Sequence, residues 1–361
     1  MVRCAAGPLQ EFTAELVTAF GAPDEIASEV ARHLVRANLS GHDSHGVLRL
    51  PQYANEVEAG HLVPYARPSI RRESDSVALF DAQQGFGHFS TMVAADWCIE
   101  RAQRTGVAVA AVRRSTHIGR LGEYSEKAAE QGLIGIVTVG VAGDGLGSVA
   151  PFGGVTRFLG TNPWTIAVPA ADGRNLVFDA ATSAIAEGKA RLARAKGASL
   201  PAGAIIDAEG QPSTDPHRFY AGGALLPVGG QVAGHKGYGL GLAAALVGSL
   251  AMIEDAGATT AGASVGAPVP DAWCAGVAVI VIDPRWFGDG GEYARMSAAV
   301  LDAARQVRPA PGVEAVLVPG DPERSSQERR QRDGIEIPEA TWAELREVAA
   351  RFQVSLPDST A

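Results

Sequence analysis

The sequence predicts an α/β protein whose two chain ends form a helical part around a sheet-containing middle. Apolar side chains recur at a four-residue spacing within Ile26–Ala37, which places them on one face of a helix. From Ser69 onward, short apolar runs alternate with helical segments, as strands and helices do in an α/β domain. The tail then returns to helix over Pro338–Phe352.

This order of elements predicts two interleaved domains. The helical domain takes residues 1–70 and 290–361, and the α/β domain takes residues 71–289. In the first segment, Pro23 and the acidic residues after it make a favourable first turn, because carboxylates complement the positive end of a helix. This helix is expected to run to about Leu39.

The middle and later parts of the chain contain seven runs with strand character. They are Val77–Phe80, Val107–Val112, Ile134–Val139, Trp164–Val168, Leu176–Phe178, Val277–Ile282 and Val313–Val318. Between them we expect one helix that is capped by Ser90 and ends at Gly106, and another over about Leu121–Gln131. The stretch Lys196–Pro227 is rich in Gly, Pro and Asp and is predicted to be a long surface loop.

The charge balance argues against a nucleic-acid partner. The chain has 361 residues, and its 40 acidic against 31 basic side chains give a net charge of −9. Binding of a polyanion depends on a basic surface, which this composition does not supply. Cys4, Cys98 and Cys274 form no CxxC pair, so we expect reduced thiols and no zinc or disulfide framework.

A soluble cytoplasmic protein without a membrane partner is expected. Residues 1–10 lack the basic and apolar regions of a signal peptide. The longest apolar stretch, Leu240–Ile253, is interrupted by Gly248 and Ser249 and is too short to span a bilayer. It is predicted to be a buried helix.

A glycine pattern in this region tests for the usual dinucleotide-binding turn. Gly239, Gly241 and Ala244 match the spacing G-x-G-x-x-A, in which a strand-to-helix turn approaches a pyrophosphate. The residues before Gly239 do not form a strand, and no acidic residue stands about 20 positions later to hold a ribose. We therefore interpret these residues as glycines that let a buried helix approach its neighbour, and expect no Rossmann turn.

The segment GHDSHG concentrates groups that are suited to proton transfer. His42 and His45 are of a type that can give a proton to a carbonyl oxygen as a hydride reaches its carbon. Asp43 or Ser44 would orient such a ring, and Arg49, one helical turn after His45, would clamp a carboxylate. A polar turn with surface histidines explains the segment as well. A metal at His42 and His45 is a third interpretation, although no further ligand is evident nearby.

Three other segments place polar groups at the ends of apolar runs. The first, Ser115–Arg120, precedes a helix whose free N–H groups would bind a phosphate together with Arg120. Ser115 or Thr116 as the N-cap of that helix explains the segment equally well. Gly160–Pro163 and Asp179–Ser183 close two other runs. Ligands of α/β sheets bind at such strand ends, and turn residues are equally common there, so spacing leaves both interpretations open.

In chain order, these segments resemble the malate/L-lactate dehydrogenase family, which includes hydroxycarboxylate, sulfolactate and ureidoglycolate dehydrogenases. The resemblance covers nearly the whole chain and depends on eight segments in register. They are GHDSHGVLRLPQY (Gly41–Tyr53), THIGRLGEYSEKAAEQG (Thr116–Gly132), GTNPW (Gly160–Trp164), FDAATSAIAEGK (Phe178–Lys189), LPAGAIIDAEGQPSTDP (Leu200–Pro216), GALLPVGG with HKGYGL (Gly223–Leu240), VIDPRWFG (Val281–Gly288) and PGDPE with ERRQRDGI (Pro319–Ile335).

The resemblance implies a non-Rossmann fold, with a helical domain from both chain ends and a mixed-sheet α/β cofactor domain. It also implies a homodimer that uses NAD or NADP, with NAD slightly favoured, to interconvert a small 2-oxo acid and its 2-hydroxy acid. Reduction of a cyclic imino acid is the alternative within the family. Outside it, the alternatives are a metal-dependent lyase or hydrolase at the two histidines and a binding protein without activity.

The resemblance also implies roles for individual residues, none of them in a metal site. His45 exchanges the proton at the substrate oxygen, with Ser44 and Asp43 beside it. Arg49 binds the substrate carboxylate, and His117 lies near the nicotinamide. The implied cofactor contacts are His45, Gly119, Arg120, Leu121, Thr161, Asn162, Val177, Phe178, Asp179, Ala180, Ala181, His235, Lys236, Gly320, Asp321, Pro322 and Glu323.

Two positions depart from the family pattern. Relatives often carry Met after the strand-end aspartate, where this chain has Ala180. Many carry a polar residue where it has Cys274 and Ala275. Both positions concern the cofactor or substrate wall, so the sequence leaves open NAD against NADP and the substrate.

Overall fold

A computed structural model describes residues 1–255 and 275–359, so Cys274 lies outside the described part. Its helices are α1 (Ala6–Ala19), α2 (Asp24–Leu39), α3 (Leu50–Glu58), α4 (Gly87–Thr105), α5 (Gly122–Glu130), α6 (Glu187–Lys196), α7 (Pro216–Tyr220), α8 (Gly230–Gly248), α9 (Gly290–Arg305), α10 (Asp321–Asp333) and α11 (Glu339–Arg351). Its strands are β1 (Val2–Cys4), β2 (Ser69–Glu73), β3 (Val77–Asp81), β4 (Val107–Ser115), β5 (Ile134–Gly140), β6 (Trp164–Val168), β7 (Leu176–Ala180), β8 (Ile205–Ile206), β9 (Pro212–Ser213), β10 (Ala224–Leu225), β11 (Ala275–Ile282) and β12 (Ile335–Ile337).

A seven-stranded mixed sheet confirms the predicted α/β class. Its order is β2-β3-β4-β11-β5-β6-β7, and only the pair β3 and β4 is parallel. The helix α4 supplies the crossover that a parallel pair needs. Gly135 and Gly140 of β5, an odd number of residues apart, approach α5 and α8 respectively. Helices therefore cover both faces of the sheet.

A second core joins the two ends of the chain, as predicted. β1 pairs antiparallel with β12, from Val2 opposite Ile337 to Cys4 opposite Ile335. Behind this pair, apolar side chains of α1, α2, α3 and α11 pack together, with Leu16 and Trp342 among them. The helix α9, which the prediction assigned to the helical domain, lies instead at the turn between β6 and β7. There the carbonyl of Ala294 accepts from the N–H of Ala171. The domain bounds remain a prediction.

Two segments differ from the predicted elements. Residues 196–227 form a small three-stranded sheet, β10-β8-β9, with α7, and not a loop. Leu200, Phe219 and Leu225 are buried in its core, so single apolar side chains between turn residues suffice to hold it. The run Val313–Val318 is not a strand, and its residues pair with no strand of the described chain. The N–H of Val177 in β7 donates instead to the carbonyl of Pro319, the residue after the run.

The predicted caps of α4 and α5 were wrong. Ser90 lies inside the first turn of α4, which begins at Gly87. Ser115 ends β4, and the Thr116 hydroxyl accepts from the N–H of Gly87 at 3.1 Å, so it serves the start of α4 instead of α5. A side chain distant in sequence caps α5, as described below.

The helix α8 is apolar on both sides, but only one side is covered. Gly248 approaches Gly276 of β11, and Ala244 and Ala245 lie against Gly140 of β5. Of the two predicted glycines, Gly241 packs on Thr182 and Leu159, whereas Gly239 faces open space, so the predicted packing role was wrong for Gly239. The other side exposes large apolar side chains, so the prediction of a fully buried helix was wrong; they are Val232 (93% exposed), Leu240, Leu246 (62%), Leu250 and Ile253. The helical run Gly230–Ile253 is long and apolar enough to cross a membrane by length and composition. Its contact with the sheet makes it part of the fold.

Substitution of glycine by alanine should distinguish the two sides of α8. A Cβ at Gly248 would clash with the carbonyl oxygen of Gly276, so Gly248→Ala should lower the free energy of unfolding by about 1–3 kcal/mol. Gly239, on the exposed side, has open space, and Gly239→Ala should raise it by about 0.5–1 kcal/mol. Urea denaturation measures both. Equal effects would show that α8 does not pack as described.

Candidate active site

The loop that carries His45 is shaped by the side chain of Asn38 at the end of α2. The Asn38 carbonyl oxygen accepts from the N–H of Val47 at 2.9 Å, and its amide donates to Asp43 at 2.7 Å. Gly46 passes so close to Asn38 that a Cβ there would clash with it. The local sequence therefore fixes two short 3-10 turns, which present His45 and Arg49.

The helix α10 holds this loop from the other side. Side chains three and four residues apart on one face of α10 each bind one loop residue. They pair Glu323 with His42 at 3.1 Å, Gln327 with Ser40 at 2.8 Å, and Arg330 with Asp43 at 2.6 and 3.0 Å. Asp43 thus faces Arg330 and not the His45 ring. Of the two residues that the sequence offered for orienting this ring, Asp43 and Ser44, Asp43 does not do so. In residues 1–255 and 275–359, no three His, Cys, Asp or Glu side chains are grouped to hold a metal.

His45 and Ser44 lie together, as predicted. The Ser44 hydroxyl is 2.9 Å from Nδ1 of His45. Burial, with further electrostatic contributions from Arg49, His42 and Arg120, lowers the pKa of His45 to about 3. The ring is therefore neutral at ordinary pH. It remains partly exposed and stacks on His117, with ring centroids 5.6 Å apart.

Arg49 is a cation without a carboxylate partner in the described part of the chain. Its Nε donates to the carbonyl of Ser44 at 2.8 Å, and its Nη1 donates to Gln52 at 2.7 Å. Both bonds go to neutral oxygens, and the side chain is partly exposed. The structure thus holds an unneutralised positive charge beside His45, where a ligand carboxylate would complete the pairing.

His117 also lies at this place, stacked on His45, and three residues behind it were missed by the sequence analysis. The Tyr53 hydroxyl lies 2.7 Å from Nδ1 of His117, within hydrogen-bond distance. His88 and His33 lie deeper in the core. His33 lies within the apolar pattern of α2, and this position could have indicated that its ring is buried. Nothing in the sequence pattern of Tyr53 or His88 distinguishes them from ordinary core residues.

Arg120 does not face the cleft. Its side chain is buried (1% exposed) and lies 3.5–3.7 Å from the carboxylates of Glu123, Glu126 and Asp179. The phosphate-binding role that the sequence suggested for this guanidinium is therefore wrong, since its charge is already neutralised. A cofactor contact of this residue would have to come from its backbone.

Asp179 supplies the missing cap of α5. Its Oδ2 accepts from the N–H of Gly122 at 2.7 Å, and a carboxylate at a helix start complements the helix dipole. Burial raises the pKa of Asp179, and the Arg120 guanidinium opposes this rise. The carboxylate thus connects the end of β7 to the segment before α5, and both carry predicted cofactor residues.

Several predicted cofactor residues are occupied by packing inside the protein. Gly119 has φ +70°, and a Cβ there would lie 2.5 Å from His33 Nε2. The Asn162 amide is saturated by the backbone of Val141 and Gly241, next to Thr161, whose carbonyl accepts from Thr182. The Asn162 side chain and the backbone of Gly119 and Thr161 are therefore engaged in packing within the protein.

The N-terminus of α10 is braced in the same way. Gly320, with φ +102°, packs on the backbone of Val177. It directly precedes Asp321, Pro322 and Glu323, the first residues of α10. Burial acts to raise the pKa of Asp321, but hydrogen bonds from Arg305 and Arg324 outweigh it and lower the pKa. This carboxylate is therefore engaged within the protein.

Other predicted cofactor residues lie on accessible surface. Phe178 is 40% exposed at the end of β7, and Ala180 and Ala181 are partly exposed beside it. His235 and Lys236 are exposed on α8, where the His235 ring contacts Phe152 at 5.7 Å. Neither makes a hydrogen bond or ring contact to the His45 loop within the described residues.

The segments nevertheless converge around the His45 loop. A Cβ on Gly188, at the start of α6, would lie 3.7 Å from Cβ of Ser44. Glu323, at the start of α10, binds His42, and Arg120 donates to Ser40 at 3.4 Å. The loop is therefore surrounded by the residues after β7, the start of α10 and the segment before α5.

Comparisons with known proteins agree with this arrangement. A family model described as malate/L-lactate dehydrogenase matches residues 5–346. An L-sulfolactate dehydrogenase of Methanocaldococcus jannaschii is 34% identical over 348 residues, which are 95% of each chain. A solved sulfolactate dehydrogenase of the same organism matches with a TM-score of 0.86 and 32% identity over 99% of this chain and 98% of that one.

Two further similarities extend the range of named activities. A malate dehydrogenase of Pyrococcus abyssi is 34% identical over 356 residues, covering 98% of this chain and 96% of its own. The solved Δ1-piperideine-2-carboxylate reductase of Pseudomonas syringae matches with a TM-score of 0.81 and 31% identity, covering 96% of this chain and 99% of that one. The dehydrogenases among these matches define a class, the non-Rossmann oxidoreductases that act on CH–OH groups. The chain belongs to the malate/L-lactate dehydrogenase family.

The buried histidines predict that stability falls in mild acid. Burial lowers the pKa of His33, His88 and His117 well below 6.5, whereas these rings take up protons in the unfolded chain below about pH 6.5. The unfolded state then binds more protons. The free energy of unfolding should therefore fall below pH 6.5 by roughly 1.4 kcal/mol per pH unit for each such ring.

Urea denaturation between pH 8 and pH 5 measures this slope. His33→Gln removes one titrating ring, so its slope should be smaller than that of the parent by roughly 1.4 kcal/mol per pH unit. Parallel slopes for the two proteins would mean that His33 is protonated in the folded state, against the burial described above.

Proposed function

We propose that the protein is an NAD(P)-dependent dehydrogenase that interconverts a small 2-oxo acid and its 2-hydroxy acid. The observation that carries this proposal is the unpaired Arg49 guanidinium next to the neutral His45 imidazole, both bound to Ser44. A 2-hydroxy acid has its carboxylate on the carbon that bears the reacting oxygen. Such a substrate presents an anion to Arg49 and a hydroxyl to His45 at the same time.

In this proposal Arg49 orients the substrate and His45 moves the proton. A charge-assisted bond from Arg49 fixes the carboxylate, which limits the positions of the neighbouring carbon. Ser44 engages Nδ1 of His45, so Nε2 is the nitrogen that exchanges the proton. The neutral ring accepts the proton of the hydroxyl in oxidation. A bound carboxylate adds negative charge beside the ring and favours its protonation, so the same nitrogen returns the proton in reduction.

The residues around the loop fit a nicotinamide cofactor. His45 and His117 are both neutral, so the cationic ring of the oxidised cofactor meets no like charge from them. The end of β7 offers the exposed Phe178 and the small Ala180 and Ala181 as an apolar surface. The cofactor, when bound, supplies the hydride chemistry at the substrate carbon.

The contacts proposed for the rest of the dinucleotide follow the predicted set. They are the backbone of Gly119–Leu121, the strand end Val177–Ala181, the start of α10 at Gly320–Glu323, the pair Thr161–Asn162, and His235 with Lys236 on α8. We favour NAD over NADP, because the Glu323 carboxylate at the start of α10 would oppose an additional phosphate there.

Reduction of a cyclic imino acid is the second candidate. It is supported by the similarity to the Δ1-piperideine-2-carboxylate reductase. Such a substrate also has a carboxylate on the reacting carbon, so Arg49 would bind it in the same way. His45 would then face a C=N nitrogen in place of an oxygen.

We further propose that the protein is a cytoplasmic homodimer. The exposed apolar side of α8 supports a second copy as the partner, because its large side chains would otherwise face water along the whole helix. Leu246→Glu places a charge at the centre of this side and should convert the dimer to a monomer. Light scattering after gel filtration measures the mass. A parent protein that is monomeric, or a variant that stays dimeric, would contradict this interface.

Turnover on defined acids tests the proposed reaction. NADH and NADPH are oxidised in turn with pyruvate, oxaloacetate, 2-oxoglutarate, phenylpyruvate and a cyclic imino acid, and the loss of nicotinamide absorbance is followed. We expect turnover with at least one 2-oxo acid. Turnover with the imino acid alone would select the second candidate, and failure to bind either cofactor would contradict both.

Variants at the two central residues should separate binding from chemistry. His45→Ala should lower kcat roughly 10²–10⁴-fold and leave cofactor binding largely intact, because general acid–base catalysis contributes that much. Arg49→Gln should mainly raise KM for the acid, by roughly 10- to 100-fold, the effect of one charge-assisted hydrogen bond. Arg351→Gln, at an exposed ion pair with Glu58, is the control. Full turnover of His45→Ala would remove it from the mechanism.

A further inference from the structure

Four imidazoles form a row that leads from the cleft into the core. His45 and His117 are stacked at 5.6 Å and partly exposed, His117 and His88 are 5.8 Å apart, and His88 and His33 are 4.8 Å apart. Tyr53, which is fully buried, joins the middle of the row. Its hydroxyl lies 2.7 Å from Nδ1 of His117 and 3.3 Å from Nε2 of His88.

The inner part of the row, His33 and His88, is closely packed. A Cβ on Gly119 would lie 2.5 Å from His33 and 2.7 Å from His88, so glycine is required where the chain crosses these two rings. Both rings have no exposed surface. The geometry of the hydrogen bonds at Tyr53 is therefore set by the core and not by solvent.

The single hydroxyl proton of Tyr53 couples the two histidines that it bridges. Burial keeps both rings neutral, and a neutral imidazole carries one hydrogen on one of its two nitrogens. If Tyr53 donates to His117, it must accept from His88, and the reverse holds as well. The tautomers of His117 and His88 are thus linked through one oxygen atom.

The surroundings of His88 favour one of the two arrangements, in which Tyr53 accepts from Nε2 of His88 and donates to Nδ1 of His117. The two contacts, 3.3 Å and 2.7 Å long, are compatible with it. His88 Nδ1 has no partner among residues 1–255 and 275–359. In this arrangement that buried atom is a bare lone pair, which is less unfavourable than an unsatisfied N–H.

We propose that Tyr53 and His88 are positioning residues that hold His117 in the tautomer with its hydrogen on Nε2. His117 then offers a hydrogen-bond donor to the cleft beside His45, while His45 exchanges the proton. This inference rests on the proposed function for its effect on turnover, but the tautomer itself can be measured on the protein without any substrate. The two rings have separate tasks: His117 binds an oxygen, and His45 moves a proton.

Nitrogen-15 NMR of the imidazoles tests the tautomer directly. In the parent protein His117 should show a protonated Nε2 and an unprotonated Nδ1. Tyr53→Phe removes the bridging hydroxyl and should give a mixture of tautomers. His88→Gln keeps an amide donor toward Tyr53 and should preserve the parent pattern, whereas His88→Phe removes the donor and should lose it. His117→Gln assigns the signals.

Steady-state kinetics tests the consequence for the reaction. Tyr53→Phe should lower kcat roughly 10- to 100-fold, the range for losing a group that orients an imidazole, without changing the Kd of the cofactor. Tyr124→Phe is the matched control, because Tyr124 is equally buried but donates to the backbone carbonyl of Ile118. His88→Gln should retain more activity than His88→Phe.

Each outcome decides the proposal. A parent His117 with its hydrogen on Nδ1, or an unchanged tautomer in Tyr53→Phe, would overturn it whatever the activity. Equal losses of kcat in Tyr53→Phe and Tyr124→Phe would assign Tyr53 a structural role only and would also overturn it. If the parent turns over no acid of the panel, the proposed function fails, and the NMR result still confirms or overturns the positioning by Tyr53 and His88.

Discussion

The ion pair between Asp43 and Arg330 is the interaction on which the site depends most. Arg330 reaches both oxygens of Asp43 and also donates to the carbonyl of Asn38, so one guanidinium ties the end of α2 and the His45 loop to α10. The segment from Ser40 to His45 contains no apolar side chain, so polar bonds such as this one hold it in place. The position of His45 relative to the strand end of β7 is thus determined by a residue near the other end of the chain.

Charge around the loop is cancelled inside the protein, with Arg49 as the exception among these groups. Arg120 meets three carboxylates, Asp321 meets two arginines, and Asp43 meets Arg330. Burial keeps the rings of His33, His88 and His117 neutral. A site of this kind has low intrinsic charge and one unsatisfied cation, so an anionic ligand gains electrostatic energy at a single defined position.

Local patterns were sufficient for most strands and for the end of the main N-terminal helix, and they grouped His45, Ser44 and Arg49. His117 was assigned to the same site by the family resemblance and not by a local pattern. They failed where the deciding contact is distant in sequence. Asp43 and Arg330 are 287 residues apart, and the capping of α5 by Asp179 spans 57 residues. Val313–Val318 has the composition of a strand but pairs with no strand in residues 1–255 and 275–359. The apolar pattern of α8 could not indicate which of its sides the sheet would cover.

The pairing of β1 with β12 has a consequence for how the molecule is made. Arg3 and Glu336 lie side by side although 333 residues separate them, so the first helices wait for nearly the whole chain before their core is complete. During synthesis the strands β3 to β7 emerge earlier, but β11, the middle strand of the sheet, is still missing when β4 and β5 are already available. An unfinished chain therefore has an open gap in its sheet and an unpaired N-terminal strand. The His45 loop is joined to α10 only when that helix arrives, which makes the candidate active site one of the last features of the molecule to be completed.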